Sequence, residues 1–315
     1  MALINAIYAT VEISKIMVPP IFIGFFIASF IRASSYLNYL SLPTTRLASI
    51  SHLPSDCSSA MTLFLVNNWA ALAMLSEEHR LGKLGDRELI VAMLVGSIPK
   101  GVNNSILYFV PVAISVLGIR TGVIYILLDL SANLVVATAG IFAGRLIFKP
   151  RGLKILAEKT YESARWWKRL KPSLVESISS SKKIIKILIP TIFLAQLAID
   201  YILLLPIVEK YNSLIQPFGL SSSSLIVLLA SVVSQSAALV ACGTLLDNAS
   251  ISPKSCLVLL FIARFLHLGI GFIRIGIPAY VSYFGGTLGI RVAAIEYLLI
   301  EVANIAIITY INIFM

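Results

Sequence analysis

Two polar pairs, Asn67-Asn68 and Ser234-Gln235, stand in otherwise apolar stretches, and each is followed two residues later by Ala-Ala-Leu. Uncharged amides and hydroxyls at such positions either bind a hydrogen-bonding solute or bridge neighbouring helices, while the small residues beside them allow close helix packing. Further along, Lys100, Asn103 and Asn104 punctuate one apolar stretch, and Arg264, His267 and Arg274 punctuate another. Arg264 and His267 are three residues apart and share a helix face. Such a face binds an anion or neutralises acids on a neighbouring helix. Asp129 with Asn133, then Glu296, Glu301 and Asn304, supply those acids and their amide companions. The expected pairing is Arg264 or Arg274 with Glu296 or Glu301. The alternative is proton or sodium coupling through Asp129 or Glu301, because an ionisable group at membrane depth faces a cavity or a partner and marks an ion path.

The expected site therefore consists of Asn67, Asn68, Ser234, Gln235, Asn103, Asn104 and His267 for substrate. Asp129, Glu296, Glu301, Asn304, Arg264 and Arg274 serve ion coupling or internal pairing. No enzyme motif is present: there is no HExxH, GxSxG or GxxxxGK[ST], and His52, His79 and His267 lack ligand spacing. Cys57, Cys242 and Cys256 form no CxxC pair, so neither a zinc site nor a disulfide framework is expected. The expectation is a protein with no catalytic residues, no bound metal and no cofactor.

Long apolar elements must carry these residues. The chain has 315 residues, of which 58% are hydrophobic and only 13% charged, and its mean hydropathy is +0.92. Soluble domains carry roughly a quarter charged residues, so the composition predicts an all-α polytopic membrane protein. Its first partner is the lipid bilayer, and its place is the cell membrane, crossed several times. The net charge of +10 does not imply nucleic acid, because the excess is concentrated in one loop. Between Arg145 and Lys186 lie twelve of the 25 Lys and Arg, against three acids. The positive-inside rule makes this passage cytoplasmic, and Trp166 and Trp167 among its basic residues favour the headgroup layer.

The passage divides two similar halves. At an offset of 171 residues, Lys15, Ile16, Pro19, Ile21 and Phe22 meet Lys186, Ile187, Pro190, Ile192 and Phe193. At an offset of 167, Ala70-Ala71-Leu72 meets Ala237-Ala238-Leu239, and Pro111, Gly118 and Gly122 meet Pro278, Gly285 and Gly289. This pattern predicts an internal duplication: a repeat over 1–148, a basic amphipathic linker over 149–183, and a second repeat over 184–315. Each repeat holds a proline-bearing apolar helix, a second apolar helix (about Cys57 to Leu75; about Ser224 to Leu245), a third stretch broken by Gly and Pro, and a closing helix. The total is roughly 8 to 10 membrane helices or half-helices. An even span count per repeat would leave the repeats parallel; an odd one would invert the second. The third stretch is either one kinked span or a re-entrant pair of half-helices.

The run HLPSDCSSAMTLFLVNNWAALAML, the loop ending KLGDRELIVAMLVGSIP, and the proline-bearing helix closing in LGIRTG resemble the "nucleoside recognition" or Gate domain family of membrane proteins. That family includes the Gate segments of ferrous-iron transporters, the spore maturation membrane proteins and stand-alone archaeal members, which this chain resembles in organisation. Pro19 and Leu53-Pro54 carry the match in the first half, and Pro190 and Gly219-Leu220 a weaker form in the second. The resemblance implies duplicated helical modules that transport or gate a small polar solute, nucleosides by the family's name. The Cys, Met and acidic ligands that suit iron(II) are not evident here.

The function expected is a secondary transporter or channel-like permease for a small polar solute, with its site between the repeats and alternating access by movement of one module against the other. Its partners are the solute, a coupling proton or sodium ion, and in a homo-oligomer a second copy of the chain. The rival is a non-transporting membrane scaffold that binds a soluble partner through the linker; a metal-ion or organic-anion permease is a further alternative.

Overall fold

The computed structural model describes residues 36–54, 56–105, 109–150 and 224–315, with scattered positions between 3 and 26 and between 170 and 193. Most of the proline-bearing first helix of each half and most of the basic linker lie outside the described residues. What is described is helical, without strands, as the composition predicts. The helices are α1 (Tyr36–Ile50), α2 (Asp56–Phe64), α3 (Asn68–Arg80), α4 (Asp86–Val95), α5 (Ser97–Asn104), α6 (Val110–Ile147), α7 (Ser224–Val233), α8 (Gln235–Asp247), α9 (Pro253–Gly271), α10 (Ile277–Phe284) and α11 (Gly286–Phe314). Three of them, α6, α9 and α11, are long and apolar enough to cross a membrane. The 29 residues of α11 reach about 43 Å at 1.5 Å per residue, more than the hydrocarbon thickness of about 30 Å. Leu146 (86% exposed), Phe142, Ile273, Leu298, Val302 and Ile313 point outward, an apolar girdle that water would not tolerate over so large an area.

Charge sits at the helix ends. Arg80 donates two hydrogen bonds to Glu77, and that bonding holds the Glu77 carboxyl below its usual range. His79 meets Asp86 across the α3–α4 turn at 2.9 Å. Glu88 accepts the Gly85 N–H at 2.8 Å, and Asp86 and Glu88 both lie in the first turn of α4, where the helix dipole favours acids. Ser252 caps α9 by accepting the Ser255 N–H, with Pro253 in its first turn.

The apolar stretch that ends at Leu117 is interrupted, and its helices α4 and α5 lie antiparallel to the part of α6 that follows Gly118. A Cβ added at Gly144 would meet Val91, one at Gly140 Leu94, one at Gly101 Asn133, and one at Gly122 the Ala113 carbonyl. Contact between residues 113 and 122 requires a reversal, and Gly118 makes it with φ 74° and ψ 165° inside α6. Gly285 makes the same reversal between α10 and α11 with φ 83° and ψ 166°. Glycine reaches such angles without the Cβ clash that penalises other residues. After Gly285 the chain again folds back, so that Gly289 lies against the Tyr280 carbonyl. Ser105 and Phe109 are π-helical, as is the segment Phe272–Gly276. All these pairs are separated by the 167 residues read from the sequence.

Two apolar cores hold the bundle, and each draws on both halves of the chain. One gathers α7, α8, α9 and the lower part of α11 with Val112, Ala113, Val116, Leu117 and Tyr125. The other gathers α1 to α4 with Phe284, Leu288 and Val292. The crossing segments fit closely: Gly243 abuts Val116, and Ser76 Oγ donates to the Tyr283 carbonyl.

Candidate functional site

The second apolar segment of each half, read from sequence as continuous, is broken. The chain leaves helical geometry over Leu65–Asn67 between α2 and α3, and at Ser234 between α7 and α8. Asn67 Oδ1 accepts the Trp69 N–H at 2.9 Å, and Ser234 Oγ accepts the Ala237 N–H at 3.0 Å. Both residues are therefore N-caps of the second half-helix. Their side chains are spent on the backbone, which is why they do not line a site as expected. Asn68 and Gln235, one step further on, turn inward.

Between the halves lies a cavity of about 410 Å³, within the range of ligand sites. Asn104, Gln235, His267, Asp129, Arg264 and Glu296, all singled out from sequence, line it together with Lys100, Tyr125, Asn133, Tyr280 and Tyr297. Two ion pairs cross it. Lys100 Nζ lies 2.5 Å from Glu296 Oε1 and 3.2 Å from the Tyr280 hydroxyl, which donates to Glu296 Oε2 at 2.5 Å. Arg264 Nη1 lies 2.7 Å from Asp129 Oδ1, and Ser105 Oγ donates to Asp129 Oδ2 at 2.6 Å. The Arg264 contact is off the N–H axis, so it is an ion pair without an aligned hydrogen bond.

These pairings correct the sequence expectation. Arg264 takes Asp129 rather than Glu296 or Glu301, and Glu296 takes Lys100. Each interrupted stretch packs on its own half's closing helix, and its cation reaches across to the acid on the other half's closing helix, so both pairs join the halves. Asp129 and Glu296 are themselves separated by 167 residues and stand the same distance beyond Gly118 and Gly285. The cations occupy alternate members of matching positions, Ser97 and Lys100 in one half, Arg264 and His267 in the other.

Gln235 Nε2 donates to the Tyr125 hydroxyl at 3.0 Å, leaving its buried Oε1 without a protein partner. Asn68 Nδ2 donates to Asn104 Oδ1 at 3.3 Å. His267 Nδ1 donates to the Ser231 carbonyl at 2.7 Å, which fixes the tautomer and leaves Nε2 for the cavity. Phe272 stacks on Tyr297, ring centroids 4.4 Å apart, to form an aromatic wall. Asn103 is buried outside the lining, and the Arg274 side chain lies outside the described residues. Glu301 and Asn304 are buried on α11 and bonded to each other, Nδ2 to Oε2, at 3.0 Å. Tyr125, Tyr280 and Tyr297 escaped sequence reading because an aromatic in an apolar helix carries no positional signal.

The described residues thus form an all-helical protein with three helices long and apolar enough to cross a membrane and a cavity lined by polar side chains. Two uncharacterised proteins of Methanocaldococcus jannaschii are similar along nearly the whole chain. One is 25% identical, covering 87% of this chain and 89% of its own length; the other is 28% identical, covering 92% and 89%. No known family profile and no solved structure matches the chain.

Proposed function

We propose that the protein is a secondary transporter or channel-like permease for a small polar solute, built from two repeated modules in a multi-pass cell-membrane arrangement with the basic linker on the cytoplasmic side. The observation that carries this reading is the cavity crossed by Lys100–Glu296 and Asp129–Arg264 in a bundle whose outer surface is apolar. Ionised groups are costly at membrane depth, and a solute path justifies them better than stability does, since apolar packing of equal volume holds a bundle at least as well. The paired glycine reversals, π-helical segments and capped half-helices at one constant spacing support the duplication. Half-helix N-termini and unwound backbone at a repeat interface are how transporters build sites.

With both cations already paired, the cavity offers a solute amides (Asn104, Asn133, Gln235), one imidazole nitrogen and aromatic faces. That inventory suits a flat hydrogen-bonding ring, nucleoside-like, better than a multiply charged anion. The test is uptake of radiolabelled nucleosides and nucleobases into proteoliposomes. N104L/Q235L is expected to lose uptake while N67A/S234A, which removes two helix caps away from the cavity lining, retains it. Equal uptake by N104L/Q235L and the native chain would end the site assignment.

A further inference from the structure

The buried ionisable groups around the cavity do not balance. Among the described residues, Lys100 and Arg264 face Asp129, Glu296 and Glu301, and the first two acids hold the two cations at 2.7 and 2.5 Å. Glu301 is left over, 5% exposed. Among the other titratable groups, Tyr297 on α11 itself interacts with Glu301, while the cavity beside it is faced by His267 on α9, Tyr125 on α6 and Tyr280 on α10. Arg264 acts on Glu301 electrostatically but is committed to Asp129. Two oxygens have no protein donor: Glu301 Oε1, and Oδ1 of Asn304, a residue with no exposed surface. Both are acceptors, and a buried acceptor pair with uncompensated negative charge calls for a positive ligand. The described residues contain no His, Cys, Asp and Glu cluster of the kind that holds a multivalent metal.

We propose that Glu301 and Asn304 form the site of one monovalent cation, a proton or a sodium ion, linked to the solute cavity through Arg264. With the site filled, Arg264 belongs to Asp129 alone. With it empty, the guanidinium answers two carboxylates, Asp129 on the cavity and Glu301 beside it. The linkage to solute rests on the transporter reading; the cation site does not.

The experiment is thermal unfolding of the purified full chain in detergent, with NaCl exchanged for choline chloride at constant ionic strength, between pH 5.5 and 8.5. A sodium site gives a saturable rise in Tm with Na⁺ at high pH. A proton site gives a Tm that falls as pH rises whatever the salt, because the folded chain then holds a proton that the unfolded chain releases. Either response disappears in E301Q, whose Tm at pH 8 without Na⁺ equals or exceeds that of the native chain. In N304A the Na⁺ midpoint weakens at least tenfold, or the pH midpoint moves by a unit or more. A native chain indifferent to both, or an E301Q chain that responds like it, overturns the proposal. Should E301Q not fold, an unmoved midpoint in N304A does so. A normal cation response with no uptake of any solute would remove the transporter reading and leave the cation site standing.

Discussion

Replacing Lys100 by Met isolates what the cross-half ion pair contributes. At 2.5 Å and an effective dielectric of about 20, the attraction between Lys100 and Glu296 is roughly 6–7 kcal/mol before desolvation. Most of that is offset by the cost of taking both charges out of water, so the pair is worth little against an apolar replacement of both partners. Removing Lys100 alone is different. It leaves the Glu296 carboxylate, 13% exposed at the side chain, with only the Tyr280 hydroxyl as donor, and breaking a buried pair this way costs about 3–5 kcal/mol. In K100M/E296M the orphaned charge is gone, and the remaining cost is the unpaired Tyr280 hydroxyl, about 1–3 kcal/mol. SDS-induced unfolding of the single and double variants in mixed micelles measures the cycle, and a coupling of at least about 2 kcal/mol is expected. Additive single and double effects would refute the claim that these residues are electrostatic partners across the halves.

Three further outcomes follow from local geometry. G118A and G285A, each at positive φ with extended ψ and open space around the added methyl, should each cost about 1–3 kcal/mol from backbone strain, read in the same unfolding assay. N67A and S234A should each cost about 1 kcal/mol through a lost cap, with solute affinity by thermal shift unchanged. G243A drives a methyl into Val116 and should destabilise by about 1–3 kcal/mol, whereas S76A at the matching contact loses only one hydrogen bond, about 1 kcal/mol.

Helical class was legible in the composition, and Gly118, Gly285, Pro111 and Pro278 stood out as rare residues in an apolar background that recur at one spacing; that the two glycines reverse the chain came from the structure. The break before Asn68 and Gln235 was not. Asn67 and Ser234 are good cap residues, but the apolar run on either side of them reads as one continuous helix, and their polarity drew a binding role instead. Which acid meets which cation was also hidden: Lys100 and Glu296 lie 196 positions apart, and only the packing of the two halves around the cavity joins them. Gln235, Asn104 and His267 line the cavity, as polar groups in apolar helices have few alternatives to facing inward. Glu301 and Asn304 followed the same logic but sit beside the cavity, on a neighbouring turn of α11.

The exchange of segments between the two cores bears on how such a bundle can move. Because Val112–Leu117 is clamped inside one apolar core and Phe284, Leu288 and Val292 inside the other, neither half can tilt as a rigid block without tearing both interiors open. Motion is cheapest where the backbone is already irregular, at the π-helical segments and the two capped breaks, so the opening and closing of a pathway would be a matter of short levers bending within a fixed frame. The same interlock means that two fragments made by cutting the chain in the linker would each lack the wedge that finishes its interior, and would remain joined as a stoichiometric pair.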